Sequence, residues 1–324
     1  MSTMNKLIEV KNIKKVFDIG GPGFGKKMKL RAVDGVSFNI NKCEVLGLVG
    51  ESGCGKTTCG KLLLRIFRPT GGSIYYGDQN IAYLTEKEMM KYRSKMMIIY
   101  QDPFASLDPR MSVGAAIAEP MTIHKIGTKK DRKERVIDIM RKVGLSEDQI
   151  NRYPHEFSGG QRQRIGIART LAINPEFIVA DEPVSALDVS IQAQIINLLK
   201  DLQQELGLTI LFISHDLSVI KYMSDRIAVM YLGKIVEMAS KKNLFESPKH
   251  PYTKALLGAI PIPNVRQRIK REILLGDVPS PINPPSGCRF HTRCPYVKDV
   301  CKEKDPPLHD ANDQHFVSCF LLTP

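Results

Sequence analysis

The segment that most constrains this chain is GESGCGKTT, at residues 50–58. It follows a short apolar run at Val45–Val49 and precedes a helix-like segment at 56–67. The segment fits the pattern G-x-x-x-x-G-K-[ST], in which glycines let consecutive backbone N–H groups face an anion and the helix start adds its positive end. We therefore predict a phosphate loop between a buried strand and a helix, and with it an α/β core.

Every residue of this phosphate loop is a candidate nucleotide contact. Lys56 is predicted to reach the β- and γ-phosphates, and the Thr57 hydroxyl to ligate Mg²⁺. The other candidates are Gly50, Glu51, Ser52, Gly53, Cys54, Gly55 and Thr58. The alternative is a Gly-rich turn without a ligand, which the preceding strand and the following helix disfavour.

A second motif, FIVADE at residues 177–182, combines an apolar strand with two terminal acids. Such a strand suits Asp181 as a second Mg²⁺ contact and Glu182 as the carboxylate that polarises an attacking water. Buried strands also end in acids for structural reasons. The motif is therefore informative because it follows a phosphate loop.

The order of elements favours a mostly parallel α/β sheet. Residues 177–180 and 208–214 read as buried strands, and Val189–Leu206 reads as an amphipathic helix that Gly207 can end. A long polar and helical insertion, at about 102–164, lies between the first two strands. The Gly-rich stretch 20–25 is predicted to be a hairpin loop.

Charge and composition indicate the cellular compartment of the protein and the kinds of partner it has. The formal net charge is +13, yet the basic runs at 125–135 and 266–271 carry no interleaved aromatics and the chain has no Trp. A solvated basic surface is therefore favoured over nucleic-acid binding, and no nucleic-acid partner is expected. The N-terminus lacks a signal-like apolar stretch and the apolar runs are too short to cross a bilayer, so we expect a cytosolic protein with reduced thiols.

The segment FSGGQRQR, at residues 157–164, completes a three-motif pattern. Together with the phosphate loop and FIVADE, its residues Ser158, Gly159, Gly160 and Gln161 resemble the signature of an ATP-binding cassette (ABC) ATPase. Ser158 can cap the helix that follows, and the two glycines leave its first N–H groups open to an anion. The resemblance implies that two cassettes pair head to tail, each signature closing over the nucleotide that the other holds.

The resemblance also implies roles for single residues outside the three motifs. Gln101 matches the glutamine that senses the γ-phosphate, contributes to the Mg²⁺ site and links to the membrane subunit. Residues 185–188 (SALD) match the loop that touches the partner cassette. His215 matches the histidine that contacts the γ-phosphate, and Phe17 the aromatic on which adenine stacks.

The fold implied is a P-loop NTPase (RecA-like) core with a helical subdomain at about 102–164 and an antiparallel β subdomain, all within residues 1–245. The segments QDPFASLDPR, ADEPVSALDVSIQAQIINLL, HPYTKALLGAIP and SPINPPSGCRFHTRCP narrow the resemblance to the ATPase subunit of a dipeptide/oligopeptide importer. That implies ATP hydrolysis coupled to peptide import, on the cytoplasmic side of the membrane. It also implies a sibling cassette (a homodimer being the alternative), two transmembrane permease subunits and an extracytoplasmic peptide-binding protein.

Three other functions are alternatives to this one. A nickel importer subunit would share the last two segments. A cassette acting on nucleic acid or ribosomes commonly carries two phosphate loops or a long charged linker, which this sequence lacks. A non-catalytic cassette commonly loses one of the catalytic residues, whereas Lys56, Asp181, Glu182 and His215 are all present here.

Residues 246–324 form a Pro-rich C-terminal extension, in which we expect neither long helices nor a regular sheet. Four of its residues, Cys288, Cys294, Cys301 and Cys319, follow the spacing C-x5-C-x6-C-x17-C. Four reduced thiolates are a complete ligand set for Zn²⁺ or a 4Fe–4S cluster, and four unrelated thiols are the alternative. The absence of C-x2-C pairs and the family resemblance favour 4Fe–4S over Zn²⁺, with a structural role. Cys43, Cys54 and Cys59 read as ordinary thiols.

Overall fold

The computed structural model describes residues 6–20, 28–259 and 276–322. The predicted hairpin loop at 20–25, apart from its first residue, and the basic run at 266–271 lie outside these ranges. The chain divides into two compact units. The first contains the described parts of 1–40, 45–83 and 214–324, and the second contains 41–44 and 84–213. None of the helices in the described ranges is long and apolar enough to span a membrane.

Twelve strands lie within the described ranges: β1 (Lys6–Ile19), β2 (Met28–Asn41), β3 (Val45–Val49), β4 (Gly71–Tyr76), β5 (Gln79–Asn80), β6 (Met96–Ile99), β7 (Phe177–Asp181), β8 (Thr209–Ile213), β9 (Arg226–Tyr231), β10 (Lys234–Ser240), β11 (His309–Asp310) and β12 (Phe316–Val317).

Eleven α-helices occur in the same part of the chain: α1 (Lys56–Leu63), α2 (Glu86–Arg93), α3 (Pro103–Ser106), α4 (Val113–Ile123), α5 (Lys129–Lys142), α6 (Gly159–Leu171), α7 (Val189–Leu206), α8 (Leu217–Met223), α9 (Lys241–Glu246), α10 (Pro251–Gly258) and α11 (Asp299–Glu303). Three 3₁₀ turns lie at Glu147–Asn151, Pro154–Glu156 and His291–Arg293.

The first unit contains two kinds of sheet. β3 pairs in parallel with β9, and β10 and β12 continue from β9 as antiparallel neighbours. A separate four-stranded sheet has the order β2-β1-β4-β5, with antiparallel pairing of β1 to β4 and of β4 to β5. The predicted antiparallel β subdomain is therefore present.

The second unit is built on three parallel strands, with β7 between β6 and β8. All residues of β7 and of β8 are buried, as expected for continuous apolar strands covered on both faces. The predicted helix Val189–Leu206 is observed, and it ends at Gly207 in the left-handed conformation with φ of 62°. The helices α3, α4 and α5 lie in the predicted helical insertion.

Helix α1 is shorter than the sequence pattern predicted, ending at Leu63 instead of residue 67. Arg65 adopts a left-handed φ of 55°, and the N–H of Ile66 returns to the carbonyl of Lys61 at 2.9 Å. A left-handed residue followed by such a returning hydrogen bond terminates a helix. Arg65 is buried and donates from Nε to the carbonyl of Ile81 at 2.8 Å, so a tertiary contact overrides the helical pattern.

The described part of the C-terminal extension has only short elements, as expected. β12 pairs with β10 through Glu237 and Val317. The Glu237 carboxylate, which is fully buried, accepts hydrogen bonds from the backbone N–H groups of Lys249 (2.7 Å) and His250 (2.9 Å) and contacts His315 Nε2 at 2.6 Å. One buried acid of the sheet therefore fastens both ends of the extension, a contact that sequence analysis did not predict.

Candidate functional site

Two glycines of the phosphate loop are required by close backbone contacts. Gly50 has a φ of 153°, and a Cβ added there would lie 2.1 Å from the Met230 carbonyl oxygen. Gly55 has a φ of 104°, and its Cβ would lie 2.1 Å from the Ala32 carbonyl oxygen. Any side chain at either position would clash with backbone, so the loop conformation depends on both glycines.

Lys56 begins α1, and its buried ammonium points back into the phosphate loop. Its Nζ donates to the carbonyls of Gly50 (2.7 Å) and Glu51 (3.1 Å). Ser52 and Gly53 are exposed, and Thr57 and Thr58 are half-buried on the first turn of α1. Cys54 is buried, and burial raises the pKa of its thiol. The loop thus presents exposed backbone, a helix start and an ammonium group, which are the components of a phosphate site.

His215 and Phe17 belong to the same unit as the phosphate loop. His215 is exposed and precedes α8, whose N-cap Asp216 accepts from the Ser218 N–H at 2.7 Å. Phe17 is half-buried on β1 and packs edge-on against Phe67, with ring centroids 5.4 Å apart. The Lys15 ammonium lies 4.9 Å from the Phe17 ring. The adenine and γ-phosphate roles of these residues stay predictions.

The second unit brings Gln101 and Glu182 together. Asp181 is the buried last residue of β7, and Glu182 follows it with a left-handed φ of 47°. The Glu182 N–H donates to the Ile213 carbonyl at 3.0 Å, and Gln101 Nε2 lies 3.4 Å from Glu182 Oε2. Strained backbone of this kind is concentrated at functional sites. The Gln101 amide and the Glu182 carboxylate are therefore in contact, and Glu182 directly follows Asp181 in the chain.

The SALD segment also supports Glu182 from within the chain. Ser185 donates to the Glu182 carbonyl from both its hydroxyl (3.1 Å) and its backbone N–H (3.3 Å). Sequence reasoning assigned this segment only to the partner cassette. The structure adds a local role, because these hydrogen bonds close the turn in which Glu182 lies.

Ser158 caps α6 as predicted. Its hydroxyl accepts from the Gln161 N–H at 3.3 Å, and Gln161 Oε1 accepts from the Ser158 N–H at 3.0 Å, which is a reciprocal capping box. Gly159 is exposed at the helix start. Gly160 is buried, and a Cβ there would lie 2.4 Å from Ile191 Cγ2 of α7. The second glycine thus serves helix packing as well as the open N-terminus.

The other three cysteines of the C-terminal extension lie close enough to Cys288 to affect it electrostatically. The backbone N–H of Cys288 donates to the Cys301 carbonyl at 2.8 Å. Burial raises the pKa of Cys288 to about 12, and the charges of Cys301, Cys319 and Cys294 add to that rise. None of these thiols forms a disulfide. The donor set therefore fits a tetrathiolate site chemically. Among the described side chains, however, no group of three or more His, Cys, Asp or Glu is arranged to hold a metal ion.

Sequence analysis missed two residues that contact the phosphate loop. Tyr252 Oη accepts a hydrogen bond from the Glu51 N–H at 2.9 Å, and Arg293 donates to the Glu51 carboxylate at 2.9 Å. Both lie in segments that resemble peptide-importer ATPases, HPYTKALLGAIP and SPINPPSGCRFHTRCP. For Arg293, the available signal was a basic residue directly before a predicted metal ligand.

The fold and these sites define an ATP-binding cassette ATPase. The family model described as "ABC transporter" matches residues 33–185, and the one described as "Oligopeptide/dipeptide transporter, C-terminal region" matches 236–301. A solved dimeric ATP-binding cassette in a post-hydrolysis state, bound to ADP and Pi, is 29% identical with a TM-score of 0.64, covering 72% of this chain and 98% of that chain. The predicted fold class and ATPase activity are confirmed.

Relatives extend over nearly the whole chain. The oligopeptide transport ATP-binding protein AppF of Bacillus subtilis is 52% identical over 321 residues, covering 98% of each protein. A putative peptide import ATP-binding protein of Brucella ovis is 57% identical over 290 residues, covering 90% of this chain and 92% of that protein. The chain belongs to the family of peptide-transporter ATP-binding proteins of the ABC class, and the predicted resemblance is confirmed.

Proposed function

We propose that this chain hydrolyses ATP to power the import of dipeptides and oligopeptides across the cell membrane. The observation that carries the proposal is the pairing of a cassette ATPase with the C-terminal region of oligopeptide/dipeptide transporters in one chain. The proposal is also supported by relatives that are named for peptide transport and that match this chain over nearly their full length. ATP closes two cassettes, which reshapes the membrane subunits they carry, and hydrolysis resets them.

The chemistry assigned to the nucleotide site is mostly charge stabilisation and positioning. Lys56 stabilises the β- and γ-phosphates, and Thr57, Asp181 and Gln101 hold Mg²⁺. This ion supplies a positive charge that neutralises the phosphate oxygens. Glu182 polarises the attacking water, a role supported by its contact with Gln101 at 3.4 Å.

Three further contacts complete the proposed site. His215 contacts the γ-phosphate, and Phe17 stacks on adenine. The signature at residues 158–161 closes over the nucleotide of a second cassette. Its capped, exposed helix start supports this assignment, because such a start favours an anion.

We assign the chain to the cytoplasmic side of the membrane, as a peripheral subunit. Its proposed partners are a sibling cassette, two transmembrane permease subunits and an extracytoplasmic peptide-binding protein. Peptide selection then lies in those other chains. Isolation of the native complex from membranes tests this proposal. We expect two multi-span membrane chains and a second cassette to co-purify, whereas co-purification with ribosomes or nucleic acid in their place would contradict it.

We also propose that Cys288, Cys294, Cys301 and Cys319 hold a 4Fe–4S cluster, with Zn²⁺ as the alternative. The proposal is supported by the electrostatic effect that the other three thiols all have on Cys288. The cluster would cross-link a Pro-rich segment that has few regular elements. Anaerobic purification should give a brown protein with about four irons per chain, the number in a cubane cluster, that becomes colourless in Cys294→Ser. Stoichiometric zinc without iron would contradict the cluster, and absence of any metal would contradict the site.

A further inference from the structure

Each polar group of Glu51, the second residue of the phosphate loop, has a partner. Its N–H donates to Tyr252 Oη at 2.9 Å, and its carbonyl accepts from Lys56 Nζ at 3.1 Å. Its carboxylate accepts from Arg293 Nη1 at 2.9 and 3.3 Å. Two of its partners, Tyr252 and Arg293, come from the C-terminal extension, which supplies none of the residues assigned to ATP above.

The ion pair between Arg293 and Glu51 is partly buried. The Arg293 side chain is 8% exposed and that of Glu51 is 26% exposed. An ion pair shielded in this way contributes more to stability than a surface salt bridge does. Removing one partner leaves the other charge in a poorly solvated place.

Tyr252 is held in position by the residues around it. His250 caps α10, accepting from the Tyr252 N–H at Nδ1 (3.1 Å), and Pro251 occupies the first turn. The Tyr252 ring is fully buried and lies 4.7 Å from Tyr231 and 5.4 Å from Phe290, measured between centroids. Its hydroxyl therefore meets the phosphate loop at a fixed point.

Arg293 is equally constrained. It ends the 3₁₀ turn His291–Arg293, directly before Cys294, and its N–H donates to the Phe290 carbonyl at 3.0 Å. Phe290 is 1% exposed. The turn that carries the Arg293 guanidinium group is thus held in place by buried packing. It belongs to the same unit as the phosphate loop.

We propose that the C-terminal extension is a positioning element of the nucleotide site, with Arg293 and Tyr252 acting on the phosphate loop through Glu51. Arg293 neutralises a carboxylate that would otherwise repel the phosphates of ATP from within the loop. Tyr252 fixes the peptide group that joins Gly50 to Glu51, because it accepts a hydrogen bond from the Glu51 N–H. It thereby also fixes the direction of the Gly50 carbonyl, which accepts from Lys56 Nζ at 2.7 Å. Both are positioning residues and neither is expected to touch ATP.

This inference rests on the proposed ATP binding at residues 50–58, and its test keeps the two apart. The full-length protein is titrated with Mg²⁺–ATP, and its turnover is measured at saturating ATP. If the unmodified protein does not bind ATP, the proposed function fails. If it binds ATP and the Arg293 and Tyr252 variants bind equally well, only this inference fails.

Arg293→Met should weaken ATP binding about tenfold, and Arg293→Lys, which keeps the charge but loses the planar fork, about threefold. Tyr252→Phe, which removes one hydroxyl, should weaken it about threefold. Turnover at saturating ATP should change less than about twofold, because the catalytic carboxylate is untouched. A merely structural role would produce no such split between affinity and turnover.

Arg289→Met is the matched control. Arg289 is a second buried arginine of the extension, but it contacts Asp34 and the Leu232 carbonyl instead of the phosphate loop. It should lower stability yet leave ATP affinity within about twofold of the unmodified protein. If Arg289→Met lost as much ATP affinity as Arg293→Met, the loss would be explained by poorer docking of the extension in general. That result would overturn the proposal.

A double-mutant cycle tests the charge argument. In Glu51→Gln the repelling carboxylate is absent, so adding Arg293→Met should cost little further affinity, about twofold at most. Restoration of binding in the double variant, relative to Arg293→Met alone, is the expected result. Independent, multiplicative losses would show that Arg293 does not act through Glu51.

Discussion

Glu182 combines two features that a catalytic carboxylate needs: a fixed backbone and an amide partner. Its left-handed φ of 47° is uncommon for a residue with a side chain, and hydrogen bonds from Ser185 close the turn around it. Gln101 reaches it from another part of the unit, at 3.4 Å. Sequence motifs predicted roles for Glu182 and for Gln101 separately, whereas their contact depends on how β6 and β7 pair.

Glu182→Gln should retain ATP binding and lower turnover by about a hundredfold or more, because a neutral amide polarises water poorly. It should also accumulate a closed pair of cassettes in the presence of ATP. ATP binding, steady-state hydrolysis and the oligomeric state of the paired complex are the measurements. Near-normal hydrolysis would remove Glu182 from the catalytic role.

Gln101→Ala should impair peptide transport more than nucleotide binding. Gln101 approaches the Glu182 side of the site, so its loss should spare contacts at the phosphate loop. Transport per ATP hydrolysed, compared with ATP affinity in the same preparation, separates the two effects. A large loss of affinity with unchanged coupling would contradict the assignment.

At the scale of elements, the ends of helices were predictable where local chemistry sets them and unpredictable where tertiary contacts do. The cap of α6 at Ser158 and the end of α7 at Gly207 follow from their residue types. The early end of α1 does not, because buried Arg65 turns away to hydrogen-bond Ile81. Likewise, no local sequence pattern shows that Ile191 of α7 packs so close to position 160 that only glycine fits there.

Gly207→Ala should destabilise the fold by about 1 kcal/mol, since a side chain is strained at its φ of 62°. The added Cβ would lie 3.4 Å from Cys43 Sγ, a close but tolerable contact. Chemical denaturation measures the loss. As a control, Gly258→Ala, at the end of α10 with open space around its Cβ, should be neutral or slightly stabilising. Equal effects at the two glycines would contradict the strain argument.

The His250 segment predicts a pH dependence of stability. Burial lowers the pKa of His250 to about 4, from an ordinary value of 6.5. Between these values the unfolded chain binds a proton that the folded chain excludes, so stability falls as the pH falls through this window, by about 3 kcal/mol in total. Denaturation of His250→Gln, whose amide oxygen can replace the Nδ1 acceptor, should show a flatter pH profile between 6.5 and 4. An unchanged profile would contradict the assignment to His250.

Considered as a whole, the molecule is a cassette with a C-terminal extension fastened to it at several points. Composition and motifs predicted the cassette, its subdomains and the short elements of the extension. They could not predict the fastening, because Glu237 with His315 and Glu51 with Arg293 pair residues 78 and 242 positions apart in the chain. Such pairs leave no periodic or local pattern, and only the folded chain shows that the extension reaches the phosphate loop.

Peptide uptake tests the central claim most directly. Cells whose own copy of this chain is replaced by the unmodified gene or by Glu182→Gln are supplied with a labelled oligopeptide. Complex assembly is verified by co-purification with the membrane subunits. The account predicts uptake with the unmodified chain and almost none with Glu182→Gln in an equally assembled complex. Equal uptake in both, or uptake that does not depend on this chain, would contradict it.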